Sequence, residues 1–153
     1  MENSINAINE LLVGIFNDIL EIEQNSLNAG MLNELSVTEI HTIDAIGVNS
    51  ARTMSEVASD LNITIGTLTT AITNLVKKGY VDRKRTEEDR RLVLIQLSMK
   101  GKLAFRIHRK FHRDMVKETI NGLSEIEEKV LVSALKKLST FFESKCFNSD
   151  VKK

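Results

Sequence analysis

A chain of 153 residues, 42% of them hydrophobic, is about one domain and long enough to bury a core. With no proline, 5% aromatic residues and no long apolar run, neither a transmembrane span nor a signal peptide is expected, and the chain reads as largely helical and cytoplasmic. The single cysteine, Cys146, excludes an internal disulfide, and the net charge of zero hides a division: residues 1–51 carry eight acids and no Lys or Arg, residues 77–113 carry 13 basic and four acidic residues.

Residues 3–26 read as one helix, with Ile5, Ile8, Leu12, Ile15, Ile19 and Ile22 in a coiled-coil-like stripe. Leu11, Phe16 and Leu20 widen that stripe beyond what a small domain can cover, so a partner subunit is expected. Asn28 to Leu35 is a connector containing Gly30. Ser36 with Glu39 forms a capping box that opens a helix to about Ile46, with Val37, Ile40, Ile43 and Ile46 inward and Gly47 as its stop. Asn49 to Arg52 is a short turn or bridging strand.

From Thr53 to Leu97 the apolar spacing is first helical and then, just after Gly79, alternating. Thr53 and Glu56 cap a helix with Met54, Val57, Ala58 and Leu61 inward; the turn Leu61-Asn62-Ile63 leads to a second helix capped by Thr64. Ile65, Leu68, Ile72, Leu75 and Val76 are its expected core face. Its other face holds Thr64, Gly66, Thr67, Thr69, Thr70, Thr73 and Asn74, then Lys77 and Lys78. A solvent face would favour Glu, Lys, Gln and Arg, whereas short hydroxyls and a glycine suit close approach to another surface. In a helix-turn-helix that surface is the major groove, where Thr can meet a thymine methyl or a phosphate and Asn can read adenine.

Gly79 is a left-handed stop for this helix. Tyr80 to Lys84 and Arg91 to Leu97 are two strands of a wing, joined by a loop from Arg85. Arg83, Arg85, Arg90 and Arg91 are candidates for phosphate or minor-groove contacts, and Asp89 is expected to pair with Arg91 and brace the loop. The positive excess of residues 77–113 falls on this motif, as DNA binding requires.

Beyond the wing, a helix from Ser98 or Met99 to about Ile120 carries Leu103, Ala104, Ile107, Phe111, Met115 and Val116 on one face, and Asn121-Gly122 stops it. Ser124 and Glu127 cap a last helix, with Val130, Leu131, Ala134, Leu138, Phe141 and Phe142 apolar; the tail from Asn148 is expected to fray. The fold class is therefore mainly α with a small β-wing, a winged helix-turn-helix over residues 36–98 and a helical dimerisation lobe over 1–30 and 99–147. A dimer would present two recognition helices roughly 34 Å apart to a palindromic site.

The segments around KKGYVDRKR, DRR and LVLIQLSMKGK resemble the MarR family of dimeric bacterial transcriptional regulators, over almost the whole chain. The resemblance implies a homodimer, repression by operator occupancy and control by a small ligand, metal or oxidant. Glu39 to Gly47, Asp60 to Thr70 and Ile107 to Val116 are most similar to the branch that represses fatty acid synthesis genes, whose corepressor is long-chain acyl-acyl carrier protein. On that reading Phe16, Ile19, Leu20, Ile43, Phe105, His108, Phe111 and Met115 are candidates to line an acyl slot, or simply fill the core, and Arg106, Arg109, Lys110 and Arg113 would receive the acidic carrier.

A zinc-responsive alternative rests on His108 and His112 at i, i+4, joined by His41 and by Glu39 or Glu23; structural histidines are the competing reading. An oxidant sensor would need a low-pKa cysteine on the first helix, and Cys146 lies far from there. No nucleophile elbow, phosphate loop or paired-carboxylate motif accompanies the histidines, so no enzyme and no cofactor are expected.

Overall fold

The computed structural model describes residues 2–89 and 91–149, with side chains as far as Lys145. Arg90 and the end of the tail therefore lie outside the described residues. The chain divides into two compact units, Met1–Lys110 and Phe111–Lys153.

The first unit opens with α1 (Glu2–Ala29), longer at both ends than its apolar stripe suggested. Its last turns hold no breaker, and Gln24 Nε2 donates to Asn28 Oδ1 at 3.0 Å across one turn. α2 (Val37–Ile46) begins at the Ser36 capping box and ends at Gly47, whose φ of 70° lies in the region glycine favours. β1 (Arg52–Thr53) runs directly into α3 (Met54–Asp60), where Thr53 and Glu56 cap each other as the sequence spacing requires. Asn62, with φ 52°, makes the turn into α4 (Ile65–Lys77), and Thr64 accepts from the Thr67 amide to cap that helix.

β2 (Val81–Arg85) and β3 (Val93–Leu97) form the wing, and β1 joins it in an antiparallel sheet of order β1-β3-β2. Both wing strands are displaced from the sequence expectation for local reasons. Tyr80 N donates to the Leu75 carbonyl of α4 at 2.9 Å, which keeps this residue in the helix exit, and the strand starts at Val81. Asp89 accepts the amides of Arg91 through Oδ1 and of Leu92 through its carbonyl, which keeps both residues in the turn. The brace on the loop is thus the Arg91 backbone rather than its guanidinium.

The core gathers Ile40, Ile43, Val57, Leu68, Ile72, Leu75 and Ile95, all at 0% exposure. Two residues expected on the core face of α4 are not there: Ile65 is 52% and Val76 39% exposed. Leu68, Ile72 and Leu75 make a narrow stripe, and at 100° per residue Ile65 and Val76 fall on its flank. α5 (Met99–Ile120) starts against the wing, where Ser98 N donates to the Tyr80 carbonyl and Ser98 Oγ accepts from Gly101 N. A Cβ on Gly101 would collide with the Tyr80 backbone, so only glycine allows this approach.

In the second unit, the end of α5 turns at Gly122, φ 115°, into α6 (Glu125–Ser149). Ser124 and Glu127 form the expected reciprocal cap, with Ser124 N donating to Glu127 Oε2 at 2.8 Å. Phe141 and Phe142 stand edge to face at 5.4 Å. No helix among the described residues is long and apolar enough to cross a membrane.

Candidate nucleic-acid interface

α4 places its polar residues opposite Leu68, Ile72 and Leu75. Thr64, Gly66, Thr67, Thr69, Thr70, Asn74 and Lys77 are all exposed, on one continuous surface. A Cβ on Gly66 would touch only Thr64 Oγ1, at 3.9 Å, so nothing within the chain demands a glycine there. The threonines form short local bonds: Thr64 Oγ1 with Thr67 Oγ1 at 2.9 Å, and Thr69 and Thr73 back to the carbonyls of Ile65 and Thr69 at 2.7 and 2.8 Å. Such back-bonding fixes the side-chain rotamers before any partner arrives.

The wing brings its cations to the same face. Arg83 Nη2 donates to Thr73 Oγ1 at 3.4 Å, so strand β2 and α4 are joined through two of the candidate side chains. Arg83, Arg85 and Arg91 line a cavity of about 390 Å³ together with Thr69, Ile65 and Leu92. The exposed Ile65 is therefore a wall of this cavity, which its place off the core stripe makes possible. The loop is held by Thr86, whose hydroxyl donates to the Asp89 carbonyl at 2.7 Å and accepts the Asp89 amide at 3.2 Å. This three-residue spacing is the one that caps helices, and it marks the loop in the sequence.

Behind this face lies a network that sequence periodicity did not reveal. Lys78, expected among the outward cations, instead donates to Glu39 at 2.8 Å and to the Glu34 carbonyl at 2.6 Å. Tyr80 Oη and Lys100 Nζ both donate to Glu34 Oε1 at 2.6 Å, and Lys100 also reaches the Lys78 carbonyl. Burial raises the Glu39 carboxyl, but the Lys78 ammonium and the Ser36 donors more than reverse this and hold it below the usual range. Lys100 and Tyr80 hold Glu34 low in the same way; burial, then the Glu34 carboxylate, push the Tyr80 phenol up. The C-terminal end of α4 is thus tied to the connector before α2 and to the start of α5.

Comparison with known proteins decides what this assembly is. The profile of the MarR family matches residues 35–93. FabT of Streptococcus pneumoniae, solved in complex with DNA, is 43% identical, with a TM-score of 0.88 over 92% of this chain and 98% of that one. This chain belongs to the MarR family. Its members here include the HTH-type transcriptional regulator PchR of Bacillus subtilis, 24% identical over 83% of this chain and 70% of that protein. The fold is shared with a mutant MarR from E. coli complexed with operator DNA, at 23% identity and a TM-score of 0.70 over 89% and 96% of the two chains. The protein is accordingly a MarR-type, DNA-binding transcriptional regulator, not an enzyme.

Within this MarR fold the histidines have a defined place. Glu23 of α1, 2% exposed, lies 2.9 Å from His41 Nε2 and 2.6 Å from His108 Nε2, linking α1, α2 and α5. Burial raises the Glu23 carboxyl, and the bond to His108 and the charge of His41 lower it further than that, for a net shift below the usual range. The metal alternative names His41, His108 and His112; among the described residues the three groups within 4.8 Å of one another are Glu23, His41 and His108. His112 stands in the second unit with its ring against Phe111 at 5.3 Å, and Glu39 is committed to Lys78 and Ser36. Two of the three named histidines thus meet on a glutamate, and it is the 43% identity to FabT that favours the first reading over the zinc alternative.

Of the acyl-slot candidates in the first unit, Ile43 is at 0% exposure in the core and His108 is held by Glu23, while Phe16 is 63% exposed. Ile19, Leu20 and Phe105 are half-buried. Phe111 and Met115 are half-buried residues of the second unit.

Proposed function

We propose that the chain is a homodimeric repressor of fatty acid synthesis genes, with acyl-acyl carrier protein as its corepressor. The observation that carries this reading is the 43% identity to a DNA-bound FabT over nearly the whole chain, which agrees with the resemblance of Glu39 to Gly47 and Ile107 to Val116 to that branch. The homodimer is supported by the apolar residues left uncovered on α1, among them Ile5, Ile8, Leu11, Ile15 and Phe16, each more than half exposed in the single chain. Thr67 and Asn74 serve as base or phosphate readers, Thr70 as a base reader, and Arg83, Arg85, Arg90 and Arg91 as wing contacts. Half-buried Ile19, Leu20 and Phe105 favour an apolar ligand nearby, and exposed Arg106 and Lys110 favour an acidic carrier.

A gel-shift series with operator duplex, acylated carrier, free carrier and zinc tests the proposal. Acylated carrier is expected to tighten DNA binding while free carrier and zinc leave it unchanged. Equal effects of acylated and free carrier, or loss of binding to a chelator alone, would remove the corepressor assignment. In the same assay Arg91→Ala is expected to weaken binding by about 1 to 3 kcal/mol and to lower the salt slope by about one.

A further inference from the structure

The hydroxyls of three recognition-helix threonines are spent inside the helix. Thr69 donates to the Ile65 carbonyl at 2.7 Å, Thr73 to the Thr69 carbonyl at 2.8 Å and Thr70, more loosely, to the Gly66 carbonyl at 3.4 Å. A threonine has one hydroxyl hydrogen, so each of these side chains offers a partner only a methyl group and oxygen lone pairs. Thr73 offers less still, because Arg83 Nη2 occupies its oxygen from the other side.

This inventory sorts the possible contacts. Phosphate oxygens, O6 and N7 of guanine and N7 of adenine are all acceptors, and a hydroxyl that has already donated gives them nothing. The groove edge that complements a methyl and a lone pair is the A·T pair, with the thymine C5-methyl beside the adenine N6 amino donor. A G·C pair supplies an amino donor from cytosine but no methyl. Resting on the DNA-binding reading above, we infer that Thr69, Thr70 and Thr73 select thymine through methyl-to-methyl contact and leave phosphate anchoring to the wing arginines. The density of threonine on this face then has a chemical reason: it is an apolar, low-relief surface built from side chains whose polarity has been absorbed by the backbone.

The test begins with a site enriched from a random duplex library by the wild-type protein. Each thymine of that site is then replaced by deoxyuridine, which deletes only the C5-methyl. Burial of one methyl predicts about a fourfold loss at each contacted position, and serine in place of all three threonines is expected to bring the thymine-to-uridine ratio to about one. The ratio is read within one protein, so partial loss of stability in the variant cancels. Should the serine variant not fold, the wild type supplies the second measurement: a G·5-methylcytosine pair at a contacted position should bind better than G·C. Indifference of the wild type to deoxyuridine, an unchanged ratio in the serine variant, or equal binding of G·C and G·5-methylcytosine each overturns the inference. Failure to enrich any duplex at low salt would instead overturn the DNA-binding reading beneath it.

Discussion

Two single residues decide more than their size suggests. Gly101 sits where a side chain would meet the Tyr80 backbone, at the junction of wing and α5. Gly101→Ala is expected to lower stability by about 1 to 3 kcal/mol through overpacking against backbone that cannot yield, seen as a lower urea midpoint with an unchanged slope. Glu23 is the other. Its carboxyl is held below its ordinary range in the folded chain, so the unfolded chain binds this proton more tightly. The stabilisation is complete above the unfolded carboxylate range and is lost as pH falls through the lowered folded value. Urea unfolding across acid pH should show this loss in the wild type and a flatter profile in Glu23→Gln, which has no proton to exchange there. Gly101 was legible in the sequence only as the glycine of a helix start; its real constraint comes from a residue 21 positions away, and no local pattern carries that.

Among elements, the caps were the most legible feature. Ser36 with Glu39, Thr53 with Glu56, and Ser124 with Glu127 each close the reciprocal bonds that their spacing announced, because a cap is settled by residues three apart. Long-range polar partners were not legible for the opposite reason. Lys78 reads as one more cation at the end of a recognition helix, yet its ammonium meets a carboxylate 39 positions earlier. Lys78→Met keeps the chain length and removes the charge, leaving the buried Glu39 carboxylate its Ser36 cap but no countercharge. A loss of about 1 to 2 kcal/mol is expected, with the lysine's partial exposure moderating the cost; thermal melts of the variant and of Lys77→Met separate the two neighbours. Lys77, exposed and outward, should leave the melt unchanged and weaken DNA binding. A similar contrast applies to Ile65 and Val76: helical period placed them near the apolar stripe, but the stripe is three residues wide and both fall outside it.

For the whole molecule, the proposed homodimer makes the exposed face of α1 the deciding surface. Ile8→Asp should shift the protein to monomer in sedimentation and reduce operator affinity at least tenfold, because two linked half-sites become one. A monomer that still bound a palindromic duplex with full affinity would separate dimerisation from function. The apolar excess of α1 was visible in its sequence, since Ile5, Ile8 and Ile15 exceed what one short domain can cover. The histidine cluster was legible only in part. The i, i+4 spacing drew attention to His108 and His112, whereas the fold pairs His108 with His41 through a glutamate 85 positions away.

The small third strand has one more consequence. Thr53 lies opposite Leu94 in the sheet and at the same time caps α3, and Arg52 beside it pairs with Ile95 while its guanidinium grips Asp60 at the far end of that helix. Hairpin and α3 are therefore fastened to each other at this dipeptide by strand pairing, a helix cap and an ion pair. Under the proposed contacts of wing and recognition helix with DNA, this fastening ties the position of one contact to that of the other.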